Sequence, residues 1–276
     1  MFGSGLFRLF SGKPAHPVGD DGRMALSDHL RELRGRLMRV ALVMTLAFVA
    51  ALFFYDAILQ VVTGPYLHAQ EALGSGVTEA VISGAGGPFL LYFKLCGLAA
   101  VVLTSPYWLY QVWAFILPGL HAHERRWSMV FVSIAGPLFM IGVVTGYLTL
   151  PKGLEVLIGF TPDNFTNLVE FQEYLSFFSR TLLVFGLAFE IPVFIVLLNL
   201  AGVVTGKWLG EHRSWIILGV FIFAAIVTPS TDPFTMCFMA VPMVLLFFIS
   251  EVIARGNDRR RARAREDFLE GGASRT

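Results

Sequence analysis

The chain has 276 residues, 55% of them hydrophobic and only 15% charged, with a mean hydropathy of +0.67. A soluble domain carries roughly 25% charged residues, so this chain lacks the polar surface to cover itself in water, and disorder and nucleic-acid binding are excluded as well. The formal net charge of +1 conceals a strong segregation of charge along the chain, and two cysteines, Cys96 and Cys237, are too few for a disulfide-stapled secreted scaffold. The composition is that of an integral membrane protein.

Residues 1–23 mix Gly, Pro, Ser and Arg without period and read as a flexible tail. Ser27 then suits the N-cap of a helix with Asp28 in its first turn. Leu30, Leu33 and Leu37 fall on one stripe, as expected of a helix lying on a membrane surface. Glu32 is expected roughly opposite that stripe, facing the cytoplasm, either as a binding group or paired with Arg36 one turn on.

Residues 24–254 hold six apolar runs: 40–62, 89–110, 128–150, 174–200, 215–227 and 236–253. A spanning helix needs about 20 such residues, so the first four suffice and the last two are short. Between those two lies Thr228-Pro229-Ser230-Thr231-Asp232-Pro233, whose prolines and aspartate predict a tight turn. The expected fold is therefore all-α with six transmembrane helices and a short last hairpin. The first run is followed by Asp56 rather than a small-residue cleavage site, against a cleaved signal peptide.

Basic residues set the orientation. Seven precede residue 40, two (Arg125, Arg126) fall between the second and third runs, two (Lys207, Arg213) between the fourth and fifth, and seven follow residue 254. The opposite loops hold only Lys152 and are otherwise acidic, with residues such as Asp56, Glu79 and Glu170. Both termini are expected in the cytoplasm, with 255–276 a solvated basic tail that also meets anionic lipid.

Enzymatic chemistry finds no foothold. Gly12-Lys13-Pro14 lacks the upstream glycine of a phosphate-binding loop, and His123-Glu124-Arg125-Arg126-Trp127 has Trp where a zinc protease needs its second histidine. No metal and no cofactor is expected. No histidine lies in a predicted span, so an intramembrane serine protease has no base. The informative residues are charges at membrane depth, which are costly and therefore point to function. Glu190 lies inside the fourth run beside Pro192, which loosens the local backbone; Lys94 is a possible partner from another helix. Lys94 and Arg180 lie nearer the outer face and are expected to snorkel. Glu124 sits in a loop with its own arginines, as a binding group or as their partner.

Three segments carry a resemblance. His29-Leu30-Arg31-Glu32-Leu33-Arg34-Gly35-Arg36-Leu37, Tyr110-Gln111-Val112-Trp113-Ala114-Phe115-Ile116-Leu117-Pro118 with His123-Glu124-Arg125-Arg126, and Phe185-Gly186-Leu187-Ala188-Phe189-Glu190-Ile191-Pro192 resemble the TatC family, the receptor subunit of the twin-arginine protein translocase. The six runs and cytoplasmic termini agree. The resemblance covers about residues 24–255. It implies a receptor for Arg-Arg signal peptides in the inner membrane, working with TatA- and TatB-type single-span subunits and further TatC copies, driven by the proton gradient. It places the signal-binding carboxylates on Glu32 and Glu124, with Arg34, Phe115 and Leu120 at neighbouring matched positions. Glu190 falls on the family's intramembrane contact with the small partners. Pro65, at the end of the first run, and Asp232, in the last turn, fall on shape-determining positions. Arg180, the Gly84-Ala85-Gly86-Gly87 stretch and the basic tail have no counterpart. Two other classes compete: a proton-coupled solute transporter with Glu190 as relay, and a membrane scaffold in which Glu32 and Glu124 are replaceable.

Overall fold

A computed structural model describes residues 26–74, 77–116, 125–162, 164–200, 202–227 and 233–273. The elements are α1 (Leu26–Phe53), α2 (Tyr55–Leu73), β1 (Thr78–Val81), α3 (Gly87–Leu103), α4 (Ser105–Ile116), α5 (Arg125–Ile158), β2 (Asn167–Glu170), α6 (Phe171–Phe189), α7 (Ile191–Leu200), α8 (Gly206–Glu211), α9 (Arg213–Val227) and α10 (Pro233–Ala273). Four stretches are long and apolar enough to cross a membrane: His29–Phe53, Ile134–Ile158, the joined α6–α7 pair and Met236–Arg263. The pair α3–α4 makes a fifth, bent by 57°. Helix α9 has 15 residues, about 22 Å at 1.5 Å per residue, against a hydrocarbon core of about 30 Å. The protein is a helical membrane protein throughout its spans.

Three of the predicted runs are cut differently in the structure, each time for a local reason. Where one first span was expected to end near Val62, α1 stops at Phe53 and a separate helix begins at Tyr55. Pro65 lies inside that second helix, buried, not at the end of the first span. Its ring removes the N–H that would bond the carbonyl of Val61, and the Tyr147 hydroxyl donates to that oxygen at 3.0 Å instead. The Tyr174 hydroxyl donates likewise to Val62 O.

The second run breaks at Ser105-Pro106. Thr104 closes α3 by donating its hydroxyl to Ala100 O at 2.7 Å, and the Trp108 indole caps Val101 O at 3.0 Å. The fourth run breaks at Glu190, whose N–H donates to Leu187 O at 3.1 Å in a tightened turn before α7 starts at Ile191 with Pro192 in its first turn. Helix α10, expected to give way to a solvated tail near residue 254, runs on to Ala273.

One element the sequence reading did not anticipate joins the outer loops. Strands β1 and β2 pair in parallel, with Thr78 opposite Asn167 and Val81 opposite Glu170. Thr78 is fully buried, and Gln70 donates to its carbonyl at 2.7 Å.

The main core lies between α2, α4, α5 and α6, around Phe139, Leu150, Leu175 and Phe178. Helices α5 and α6 approach closely. A Cβ on Gly142 would meet Phe185 O at 2.5 Å, and one on Gly186 would meet the Phe139 ring at 2.6 Å. Between membrane helices, association rests on such close backbone packing because lipid offers no hydrophobic drive. Gly142→Leu is therefore expected to destabilise the protein by at least about 2 kcal/mol, an overpacking cost, seen as a lowered melting temperature in detergent. Unchanged melting would contradict this packing.

Candidate functional site

Helix α1 carries the first candidate. Its leucine stripe is exposed (Leu30 56%, Leu37 62%) and continuous with the span, so it faces lipid rather than lying on a membrane surface as a separate helix. Glu32 consequently turns inward, not toward the cytoplasm: its side chain is 14% exposed and that of Arg36 is 18%. Arg36 donates Nε and Nη2 to Glu32 Oε1 at 2.9 and 2.6 Å, and Nη1 to Gln111 Oε1 at 3.2 Å. Gln111, on α4, is itself buried. Beside this cluster, the rings of His29 and Phe115 stack at 4.3 Å and 14°. Of the predicted site residues, Glu32 and Phe115 are thus brought to one α1–α4 seam. Arg34 is exposed on α1. Leu120, Glu124 and Asp232 lie outside the described residues.

The pairing of Glu32 with Arg36, one of the two readings left open by sequence, is present. Two donors of one guanidinium converge on the single oxygen Oε1 of this mostly buried carboxylate, a charge-assisted contact.

Glu190 is the second candidate. It is buried at the α6–α7 break, and its Oε2 accepts from the Trp113 indole at 3.4 Å. Among the described residues its Oε1 has no hydrogen-bond partner. Lys94, expected as a possible partner, is exposed on α3 and makes no such bond. Arg180 is likewise exposed on α6, which suits a side chain reaching toward an interface.

Trp113 and Gln111 were quoted in a motif but given no role by sequence reading. Two positions apart on a helix they point about 200° apart. Gln111 therefore meets Arg36 of α1 while Trp113 meets Glu190, so α4 stands between the two candidates and touches both. A glutamine inside the apolar run Tyr107–Ile116 was the available signal.

Comparison with known proteins comes to the same place. The family model for the Sec-independent protein translocase protein (TatC) matches residues 28–242. A TatC protein of Frankia casuarinae is 42% identical over 251 residues, covering 88% of this chain and 69% of that relative. One from Xylanimonas cellulosilytica is 39% identical, covering 86% of each. The crystal structure of a twin-arginine translocase receptor, TatC, matches with a TM-score of 0.72 and 31% identity, covering 82% of this chain and 98% of that one.

Proposed function

Because this chain belongs to the TatC family of Sec-independent protein translocase subunits, components of a protein transport system rather than enzymes, we propose that it is the subunit that recognises Arg-Arg signal peptides. The protein is inserted in the inner membrane with six spans and both termini in the cytoplasm, as its basic residues favour. Glu32 and Glu124 receive the two guanidinium groups there. Arg34, Phe115 and Leu120 line the approach, and the apolar part of the signal lies along the membrane-embedded helices. Binding nucleates an export complex with TatA- and TatB-type subunits and further copies of this chain, powered by the proton gradient. Glu190 serves the partner side of that complex, and the turn at Asp232 is shape-determining. Pro65 shapes the outer end.

The observation that supports this most is the grip of Glu32 on Arg36, with two donors at 2.9 and 2.6 Å. A planar guanidinium can direct two N–H donors at one carboxylate oxygen, whereas a lysine ammonium presents a single compact charge. An incoming signal arginine then takes the place of Arg36 on Glu32. Binding of a signal peptide to the purified protein is therefore expected to weaken at least tenfold when Arg-Arg becomes Lys-Lys. Equal affinity for the two peptides would refute a guanidinium-reading site.

A further inference from the structure

Away from both candidate sites, the end of the molecule where α8, α9 and α10 meet holds a cluster of charge that the signal-receptor reading leaves unused. Its centre is Glu251, whose side chain is 3% exposed. Arg213, at the start of α9, donates Nη2 to Oε1 at 2.7 Å and Nε to Oε2 at 3.1 Å. Arg255, one turn along α10, reaches the same Oε1 at 2.7 Å. The two guanidinium groups therefore converge on one buried carboxylate and leave one positive charge in excess.

Neither arginine is loose. The Arg213 guanidinium lies over the Phe248 ring, 5.4 Å from its centroid. Arg255 passes against Gly206 and Gly210 of α8, where an added Cβ would collide with its backbone at the first and its guanidinium at the second. The next turn of α10 is tied down as well: Asp258 accepts from Gly206 N at 2.6 Å and from Asn199 Nδ2 at 2.8 Å. Yet the side chains of Arg213 and Arg255 remain 45% and 46% exposed. Each guanidinium has five N–H donors, so both keep donors free to face outward.

The surroundings say what faces them. Trp215 is 73% and Trp208 45% exposed, as aromatic side chains are at the level of lipid headgroups. Lys207, with its side chain 87% exposed, lies alongside and pairs with Glu211 at 3.8 Å. We propose that Arg213 and Arg255, held on Glu251, bind the phosphate of an anionic phospholipid headgroup in the cytoplasmic leaflet, flanked by Lys207, Trp208 and Trp215. Basic pockets between membrane helices at this depth suit such headgroups, and two pre-set guanidinium forks suit a phosphate. The choice of leaflet rests on the orientation proposed above; the chemistry of the site does not.

The test is native mass spectrometry of the detergent-purified full chain titrated with phosphatidylglycerol or phosphatidylcholine. The wild type is expected to retain at least fivefold more phosphatidylglycerol than phosphatidylcholine. Arg255→Gln, which leaves Arg213 on Glu251, is expected to abolish most of that difference, and Arg255→Lys to reduce it partly. Arg260→Gln, a charge removed from the exposed side of the same helix, is expected to leave it intact. Equal retention of the two lipids by the wild type, or equal loss in Arg255→Gln and Arg260→Gln, would overturn the site. Displacement of the lipid by 10 mM inorganic phosphate, an assay concentration, would show a free-anion site instead and overturn it too. Labelling of Arg259→Cys from each side of sealed vesicles reads the orientation alone: modification only from the outside would sink the leaflet assignment without touching the lipid measurement.

Discussion

Glu124→Gln is expected to abolish binding of an Arg-Arg signal peptide while the protein stays inserted and folded. The substitution keeps the shape of the side chain and removes its charge, so the loss measured is that of a charge-assisted bond. Removing one partner of a desolvated, hydrogen-bonded charge pair costs about 2–5 kcal/mol, and every 1.4 kcal/mol is tenfold in affinity. A loss of about 100-fold follows. Glu32→Gln is expected to act in the same direction but to carry a second cost. Arg36 is left with a neutral amide oxygen in place of the carboxylate that takes its 2.9 and 2.6 Å bonds, so those bonds lose their charge assistance. A melting measurement separates the two: Glu124→Gln leaves the transition in place, whereas Glu32→Gln lowers it. Normal signal binding by Glu124→Gln would remove that residue from the site.

Glu190→Ala is expected to do the reverse, leaving signal binding within about twofold and halting transport or partner assembly. Its carboxyl group is buried with Oε1 unsatisfied among the described residues, and an unpaired polar group in an apolar setting costs several kcal/mol. A donor from a partner helix removes that cost, which makes the group a contact sensitive to whether the partner is present. The Trp113 indole, 3.4 Å away, holds the carboxyl group in place meanwhile. Trp113→Phe is thus expected to reproduce part of the Glu190→Ala defect. If Glu190→Ala lost signal binding as fully as transport, the division of labour between the two sites would fail. The position of α4, with Gln111 on one side and Trp113 on the other, offers a physical route by which an event at Glu32 reaches Glu190.

Much of this was legible in the chain because membrane insertion is dominated by one term, the burial of apolar residues in lipid. The apolar runs reappear as helices, and the costly exception Glu190 marks one of the candidate sites. The misreadings share a cause. Hydropathy ignores where the backbone breaks, so the runs were drawn straight through Ser105-Pro106 and Phe54, where satisfaction of freed carbonyls by Trp108 and Tyr92 makes a break tolerable. Those partners lie 7 and 40 residues away in sequence, beyond the reach of local pattern. The parallel pairing of β1 with β2 is equally non-local, with strands of four residues too short to show a period. The inward turn of Glu32 was hidden by treating Leu30, Leu33 and Leu37 as a surface stripe. Once α1 is continuous with its span, the same stripe faces lipid and Glu32 faces α4. The basic tail was read by composition as solvated. Its residues 259–263 are indeed exposed, but composition did not reveal that Asp258 and Arg261 also grip the end of α7, Arg261 donating to the carbonyl of Asn199 at 3.1 Å.

The central claim is that this protein reads guanidinium groups in a signal peptide, and site-specific photo-crosslinking tests it most directly. A photoreactive residue at position 124, in native membranes containing the partner subunits, is offered a precursor with Arg-Arg and then the same precursor with Lys-Lys. A crosslink that forms with Arg-Arg and is lost with Lys-Lys is the predicted result. A crosslink with neither, or with both equally, would contradict it.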